Sequence, residues 1–169
     1  MLIASERLLF RSYNDDDFDF LMSLLSDPEM VRFIGNGKTR DKNGGEKFLD
    51  WIYSTYKFGK DMGLMVLTRI EDDTPIGHAG LVPQTINDKE EIEIGYWISR
   101  KYWGKGYATE AARSLKDYGT KSLDIKRFIA LIQPENLASR KVANKIGMHL
   151  EKKIVLDSQD VNVYSVSCG

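Results

Sequence analysis

The chain contains few of the residues that form disulfides or bind structural metal ions. It contains one cysteine, Cys168, so no intramolecular disulfide can form, and a reducing compartment such as the cytoplasm is the expected location. Its two histidines, His78 and His149, lie far apart and have no companions at metal-ligand spacing. Both histidines are therefore predicted to be structural, and no metal site is expected.

Long apolar runs and an excess of one charge are also lacking. No stretch approaches the roughly 20 apolar residues that span a bilayer, and the N-terminal sequence lacks the apolar core of a signal peptide. The net charge is −1 without a long basic run, which argues against a nucleic-acid platform. With 42% hydrophobic and 29% charged residues, the chain is expected to be one soluble globular domain, 1–169.

Hydrophobic periodicity predicts many strands and a few helices. Segment 35–45, GNGKTRDKNGG, carries four glycines and is predicted to be a mobile loop. Such an order of elements, hairpins included, indicates a mixed sheet with helices on its faces, an α/β fold. Strands are predicted at 2–13, 64–70, 75–82, 90–98, 128–132, 148–156 and 161–167, and helices at 18–25, 48–56, 107–119 and 137–146, with a short helical turn at 29–34.

The most informative stretch is 90–112, EEIEIGYWISRKYWGKGYATEAA. Its apolar residues alternate with period two up to Ile98, and they follow helical spacing from Tyr107 onward. A strand, a glycine-rich loop and a helix N-terminus together can hold phosphate, because backbone N–H groups converge there. Gly104 and Gly106 could equally shape only a tight turn. Thr109 replaces the third glycine of a dinucleotide-binding fingerprint, which disfavours an NAD-type protein.

The longer string resembles the acyl-CoA pyrophosphate loop of the GNAT superfamily of N-acetyltransferases, Gln/Arg-x-x-Gly-x-Gly/Ala. Lys101, Gly104 and Gly106 fill that frame. SERLLFRSY near the start, PENLASRKVANKIGM and VNVYSV resemble three further motifs of one branch. That branch contains the ribosomal-protein N-terminal alanine and serine acetyltransferases, the RimJ/RimL type.

The resemblance implies a fold, a cofactor and a reaction. The fold is a single mixed, mostly antiparallel twisted sheet of six to seven strands, flanked by about four helices and splayed at a central parallel pair. The reaction moves an acetyl group from acetyl-CoA to a primary amine, which attacks directly in a ternary complex. The site residues implied for cofactor binding are Trp97, Ile98, Ser99, Lys101, Gly104, Lys105, Gly106, Tyr107, Ala108, Asn136 and Ser139, with Ser139 also placed against the departing sulfur.

Glu93 is the predicted general base, because N-acetyl transfer needs a neutral amine. Glu91 lies on the same face of the strand, and two like charges would raise a carboxylate pKa. Glu91 or a water molecule alone remain alternatives, and so does a solvated face without a catalytic role. Asn136 and Ser139 have a structural alternative too, as the N-cap and third residue of a helix. Ala143 stands where many superfamily members carry a tyrosine acid.

The acceptor is not decided by the sequence. A protein N-terminus and a small amine both remain open, and either is expected to enter over the first two helices and segment 35–45. The alternative from another class is a non-catalytic acyl-CoA-binding or sensing module on the same fold. The protein is expected to be a monomer or a homodimer, without nucleic-acid or membrane partners.

Overall fold

The computed structural model describes residues 3–168, and one seven-stranded sheet organises them. The strands are Leu8–Ser12 (β1), Gly63–Arg69 (β2), Pro75–Ile86 (β3), Lys89–Ile98 (β4), Arg127–Ile132 (β5), His149–Leu156 (β6) and Gln159–Ser167 (β7). The helices are Phe18–Leu25 (α1), Pro28–Val31 (α2), Lys42–Thr55 (α3), Tyr107–Ser122 (α4) and Leu137–Lys145 (α5). Short 3-10 turns cover Asp15–Asp17, Tyr56–Phe58 and Arg100–Tyr102.

The order of strands in the sheet is β1-β2-β3-β4-β5-β7-β6. All neighbours are antiparallel except β4 and β5, which are parallel and pair at Glu93 and Ile129. Beyond Glu93, β4 continues along β3 to Ile98 without further pairing to β5. The central parallel strands therefore splay apart, as the resemblance implied, and the predicted mixed, mostly antiparallel fold is confirmed.

Helices cover both faces of the sheet because side chains along each strand alternate between the faces. On one face, α1 and α3 pack against Leu64, Val66 and Val82. On the other face, α4 and α5 pack against a larger cluster that includes Ile94 and Phe128. Residues 3–168 contain five helices where about four were expected, since the one-turn helix α2, Pro28–Val31, overlaps the predicted turn at 29–34.

Segment 35–45 was predicted to be a loop, and its last four residues are helical instead. Asp41 is the N-cap of α3, and its carboxylate accepts a hydrogen bond from the Gly44 N–H at 2.9 Å. Gly45 is buried, and a Cβ there would lie 2.2 Å from the sulfur of Met22 in α1. The glycine thus serves a close approach of two helices, a tertiary requirement that outweighs its low helix propensity.

The first strand is shorter than predicted, because β1 begins at Leu8 rather than at residue 2. Residue 2 of that prediction lies outside the described part of the chain. Leu8 and Phe10 are both buried, so the alternation that suggested the strand is correct where the strand exists.

His78 lies in the core on β3, as a structural residue would. Its side chain is fully buried, and its Nδ1 lies 2.7 Å from the hydroxyl of Tyr13. The rings of Trp97 and Phe48 lie 4.7 Å and 6.3 Å from the imidazole, and within residues 3–168 no group bonds its Nε2. The imidazole is therefore held neutral in an aromatic cluster that reaches Trp97.

Burial lowers the pKa of His78 to about 3. In the unfolded chain the imidazole has its ordinary pKa near ~6.5 and gains a proton below that pH. Between the folded and the unfolded pKa, the free energy of unfolding therefore falls by about 1.4 kcal/mol for each unit by which the pH is lowered. Lowering the pH from 6.5 to 4.5 should therefore reduce the free energy of unfolding of the native protein. The reduction should be about 2 kcal/mol larger than the reduction measured for His78→Gln over the same pH range. Urea unfolding at both pH values measures this difference, and the exposed His149→Gln serves as control. Parallel pH dependences for native protein and His78→Gln would contradict the assignment.

Candidate active site

A cleft of about 500 Å³ opens where β4 and β5 separate. One wall is the C-terminal half of β4, and the opposite wall is the end of β5 with the first turn of α5. The segment containing α2 covers a third side. The lining residues lie at 29–30, 32–34, 93–98, 103–104, 130–132 and 135–139. The cleft therefore brings together six of the predicted site residues, Glu93, Trp97, Ile98, Gly104, Asn136 and Ser139. The other predicted residues, Ser99, Lys101 and 105–108, lie outside its lining.

The main chain at the end of β4 supplies part of the cleft wall. The Ser99 N–H donates to the Ile76 carbonyl at 2.8 Å, so this amide points towards β3. Main-chain groups of an antiparallel strand alternate in direction, which turns those of Tyr96 and Ile98 towards the cleft. The Ile98 carbonyl accepts a hydrogen bond from the Trp103 indole at 2.6 Å. By the same alternation the main-chain groups of Trp97 face β3, to which it pairs at His78. Of Trp97, Ile98 and Ser99, the three residues predicted to offer backbone groups, Ile98 alone directs its main chain towards the cleft.

The predicted anion loop has the backbone that such a loop requires. Gly104 and Gly106 have φ values of +78° and +81°, a region that residues with a Cβ rarely adopt. Gly106 is also the N-cap of the 16-residue helix α4, whose dipole favours a negative charge at this end. Lys101 and Lys105 are exposed beside the loop, and a Cβ at Gly104 would meet nothing within 4 Å. The space above Gly104, the backbone N–H groups at the start of α4 and the two lysines together are suited to binding a pyrophosphate.

A cluster that we call the N-terminal brace, Ser5, Arg7 and Glu110, supports this loop from behind. The Glu110 carboxylate accepts hydrogen bonds from the Ser5 hydroxyl at 2.5 Å, the Arg7 N–H at 2.9 Å and the Arg7 Nε at 2.6 Å. Arg7 also donates to the Lys105 carbonyl at 3.1 Å, and its guanidinium lies 4.2 Å from the ring centroid of Tyr107. Burial raises the pKa of Glu110, but the hydrogen bonds from Ser5 and Arg7 outweigh it and lower the pKa.

The Glu93 side chain lies in the cleft and keeps partial contact with solvent. Gln84 donates to its carboxylate at 2.9 Å. Burial among protein atoms raises the pKa of Glu93, while hydrogen bonds from Gln84 and the Leu131 backbone act in the opposite direction. The sequence analysis predicted a raised pKa for Glu93 and attributed it to the charge of Glu91. The direction agrees, but the cause is burial and not Glu91.

Glu91 belongs to a structural ion pair and does not line the cleft. Its side chain is buried, and both of its oxygens accept hydrogen bonds from Arg127 at 2.9 Å. Arg127 also pairs with Glu151 on β6. The Arg127 hydrogen bonds lower the pKa of Glu91, so this carboxylate remains an anion held in place. Because Arg127 neutralises the charge of Glu91, that charge does not raise the pKa of Glu93.

The first turn of α5 carries two of the predicted residues on the cleft wall. Asn136 is its N-cap, and its side-chain oxygen accepts from the Ser139 N–H at 3.2 Å. The Ser139 hydroxyl donates to the hydroxyl of Tyr96 at 3.1 Å, and that hydroxyl donates to the Ser139 carbonyl at 3.0 Å. Burial raises the pKa of Tyr96 to about 12. Tyr96 was missed in the sequence, where alternation marked it only as a core position.

Two other features are absent from the part of the chain that the structure describes. None of its helices is long and apolar enough to cross a membrane. Within residues 3–168, no three His, Cys, Asp or Glu side chains lie together in a way that could hold a metal ion.

Comparison with known proteins agrees with this geometry. Residues 7–149 match the family model of the acetyltransferase (GNAT) domain. The chain is 32% identical over 151 residues to an uncharacterized N-acetyltransferase, p20, of Bacillus licheniformis, covering 88% of this chain and 83% of p20. A GNAT-family acetyltransferase from Bacillus anthracis superposes with a TM-score of 0.81 and 28% identity, covering 99% of this chain and 98% of that one.

A more distant structure shares the fold alone. It is an acetyltransferase from Salmonella typhimurium that modifies the N-terminal serine of the 50S ribosomal protein L7/L12. Its TM-score is 0.80 at 19% identity, and all of both chains is covered. The present chain belongs to the GNAT acetyltransferase family. It is an N-acetyltransferase whose acyl donor is acetyl-CoA.

Proposed function

We propose that the protein acetylates a primary amine by direct attack within the cleft between β4 and β5. The observation that carries the proposal is that a carboxylate with a raised pKa, Glu93, lines the same cleft as the hydroxyl pair of Tyr96 and Ser139. The carboxylate can accept a proton where the nucleophile forms, and the hydroxyl pair can supply a hydrogen-bond donor to a leaving group. The splay between the strands provides the space in which both act on one reacting centre.

Glu93 is assigned the role of general base. An α-amino group has a reference pKa near ~8 and a lysine amine near ~10.4, so most acceptor amines arrive protonated at neutral pH. Glu93, directly or through a water molecule, takes the proton so that the nitrogen lone pair can attack the acetyl carbonyl. Its raised pKa brings the carboxylate closer to the working range of a base.

The acyl donor is assigned to the opposite part of the cleft and to the adjoining loop. The loop formed by Lys101, Gly104, Lys105, Gly106, Tyr107 and Ala108 holds the pyrophosphate through its backbone N–H groups and its two lysines. The end of β4 at Trp97 and Ile98 is assigned to the pantetheine arm, with Ser99 directly after it, and the Ile98 main chain faces that arm. The amide nitrogen of Asn136 is free to contact the cofactor, because its oxygen is used by the helix cap.

The acceptor class remains a primary amine on a protein N-terminus or on a small molecule. Three carboxylates line the cleft, those of Glu29, Glu93 and Glu135, against one cation, Arg32. This balance favours a positively charged amine as the group that enters. The Salmonella typhimurium enzyme modifies an N-terminal serine, which makes peptides beginning with serine or alanine the first acceptors to test.

The test combines binding with turnover. Calorimetry should show acetyl-CoA binding to the native protein, and release of free CoA thiol should be measured against N-terminal Ser and Ala peptides, polyamines and amino acids. Intact mass spectrometry after mixing with acetyl-CoA alone should show no acetylated protein, because no acyl-enzyme forms. An acetylated chain that transfers its acetyl group to an acceptor would contradict the direct mechanism.

A further inference from the structure

Ser139 was expected to meet the leaving sulfur, but its proton is directed elsewhere. Its hydroxyl donates to the oxygen of Tyr96, 3.1 Å away, within the wall of the cleft. A hydroxyl has one proton to donate, so this bond turns the Ser139 donor away from the cleft space. The tyrosine hydroxyl donates in turn to the Ser139 carbonyl at 3.0 Å.

We infer that Tyr96 is the catalytic residue that donates a hydrogen bond to the departing sulfur of coenzyme A, and that Ser139 is the positioning residue that holds the phenol in place. The inference rests on the proposed acetyl transfer and assigns one of its groups. Tyr96 comes from β4, the strand that lies along the acyl donor, and it lines the cleft together with Ser139. Ala143, four residues beyond Ser139 in α5, is fully buried and supplies no donor.

The direction of the observed hydrogen bonds suits this division of roles. Turning the Tyr96 O–H from the Ser139 carbonyl to a nearby sulfur breaks one neutral hydrogen bond. It forms one with an anion, which is roughly twice as strong. Meanwhile Ser139 continues to donate to the phenol oxygen, which polarises the phenol O–H and strengthens it as a donor.

The bonds of the step balance without an extra reactant. An acceptor that arrives as an ammonium ion has two protons to lose, and Glu93 takes the first and passes it to solvent, with which it keeps partial contact. The neutral amine nitrogen then forms the new bond to the acetyl carbon, Glu93 takes the second proton, and the carbon–sulfur bond breaks with its electron pair left on sulfur. Because thiols ionise near pH ~8.5, the sulfur can leave as a thiolate stabilised by Tyr96 without receiving the phenol proton. Burial raises the pKa of Tyr96 to about 12, so the phenol remains a donor throughout the working range.

Tyr96→Phe and Ser139→Ala, alone and combined, test this assignment. Tyr96→Phe should lower kcat about 30-fold, and Ser139→Ala should lower it less, about 5-fold. The double variant should be no slower than Tyr96→Phe within about 2-fold, because serine acts only through the tyrosine. The matched control is Tyr164→Phe, which removes another buried hydroxyl that holds α5 through Arg140 at 3.1 Å. Its kcat should stay within about 2-fold of native.

A binding measurement separates the catalytic role from a packing role. At pH 9 the native protein should bind CoA about 10-fold more tightly than desulfo-CoA, and Tyr96→Phe should bind both equally. A near-native kcat for Tyr96→Phe would overturn the inference. So would a slow variant that still prefers CoA, or a larger loss for Ser139→Ala than for Tyr96→Phe. Native protein that binds no CoA would instead overturn the proposed function.

Discussion

Replacing Glu93 by glutamine should lower kcat for amine acetylation by about 10²- to 10³-fold, the usual contribution of a positioned general base. Glutamine keeps the size of the side chain and can still bond Gln84, so the change removes the proton acceptor with little effect on packing. The affinity for acetyl-CoA, measured by calorimetry, should remain within a few-fold of native. Steady-state release of CoA thiol at saturating acceptor measures kcat.

The pH dependence of kcat provides a second test of the Glu93→Gln variant. A base works only when deprotonated, so native kcat should fall as the pH drops through the raised pKa of Glu93. That acidic limb should disappear in Glu93→Gln, leaving a slow rate that is flat over the same range. Glu90→Gln, an exposed position on the same strand, is the matched control and should behave like native protein. An unchanged acidic limb in Glu93→Gln would exclude this carboxylate as the base.

Replacing Gly106 by valine should weaken CoA binding at least about 30-fold. The glycine has φ +81°, and a β-branched residue there costs about 1–3 kcal/mol. The loop relieves this strain by changing its backbone, which moves the N–H groups at the start of α4 out of position for the pyrophosphate. Calorimetric titration with CoA measures the loss.

Gly147→Val provides a closely matched control for the strain itself. Gly147 has φ +89°, and a Cβ there would lie 3.6 Å from the Lys116 ammonium. At Gly106 the corresponding neighbour, also at 3.6 Å, is an Arg7 guanidinium nitrogen. The two variants should therefore lose similar stability, while Gly147→Val should keep CoA affinity within about 3-fold of native. Equal loss of affinity in both variants would show that the effect is general destabilisation and not the loop.

The sequence predicted the fold well because its signals were local and mutually consistent. Alternating apolar residues marked the strands, and the change of period at Tyr107 marked the start of α4. Gly147 was predicted as the end of α5, and its φ of +89° agrees. The prediction that segment 35–45 is entirely a loop was wrong at its C-terminal end. Gly45 lies in α3 because only a glycine allows the close approach of Met22 in α1, and a contact between two helices leaves no local pattern in the sequence.

The candidate site was predicted only where a motif names its residues. Glu93, Gly104, Asn136 and Ser139 all line the cleft, while the roles that the sequence analysis gave them stay predictions. Tyr96 was missed because strand periodicity assigns it to the core, and its hydroxyl matters only once α5 is placed beside it. Local sequence likewise could not show that Arg127, 36 residues away, neutralises Glu91.

The N-terminal brace determines what would be needed to move this coenzyme loop into another protein. A graft of residues 93–112 would carry both glycines, both lysines and Glu110. It would omit Ser5 and Arg7, which lie 105 and 103 residues from Glu110 in the chain. Without them, Glu110 would lack its hydrogen-bond donors and the Lys105 carbonyl would lack the Arg7 guanidinium. The smallest set of residues that keeps the loop supported is therefore discontinuous in the chain. It must include the segment directly before β1, the strand at one edge of the sheet.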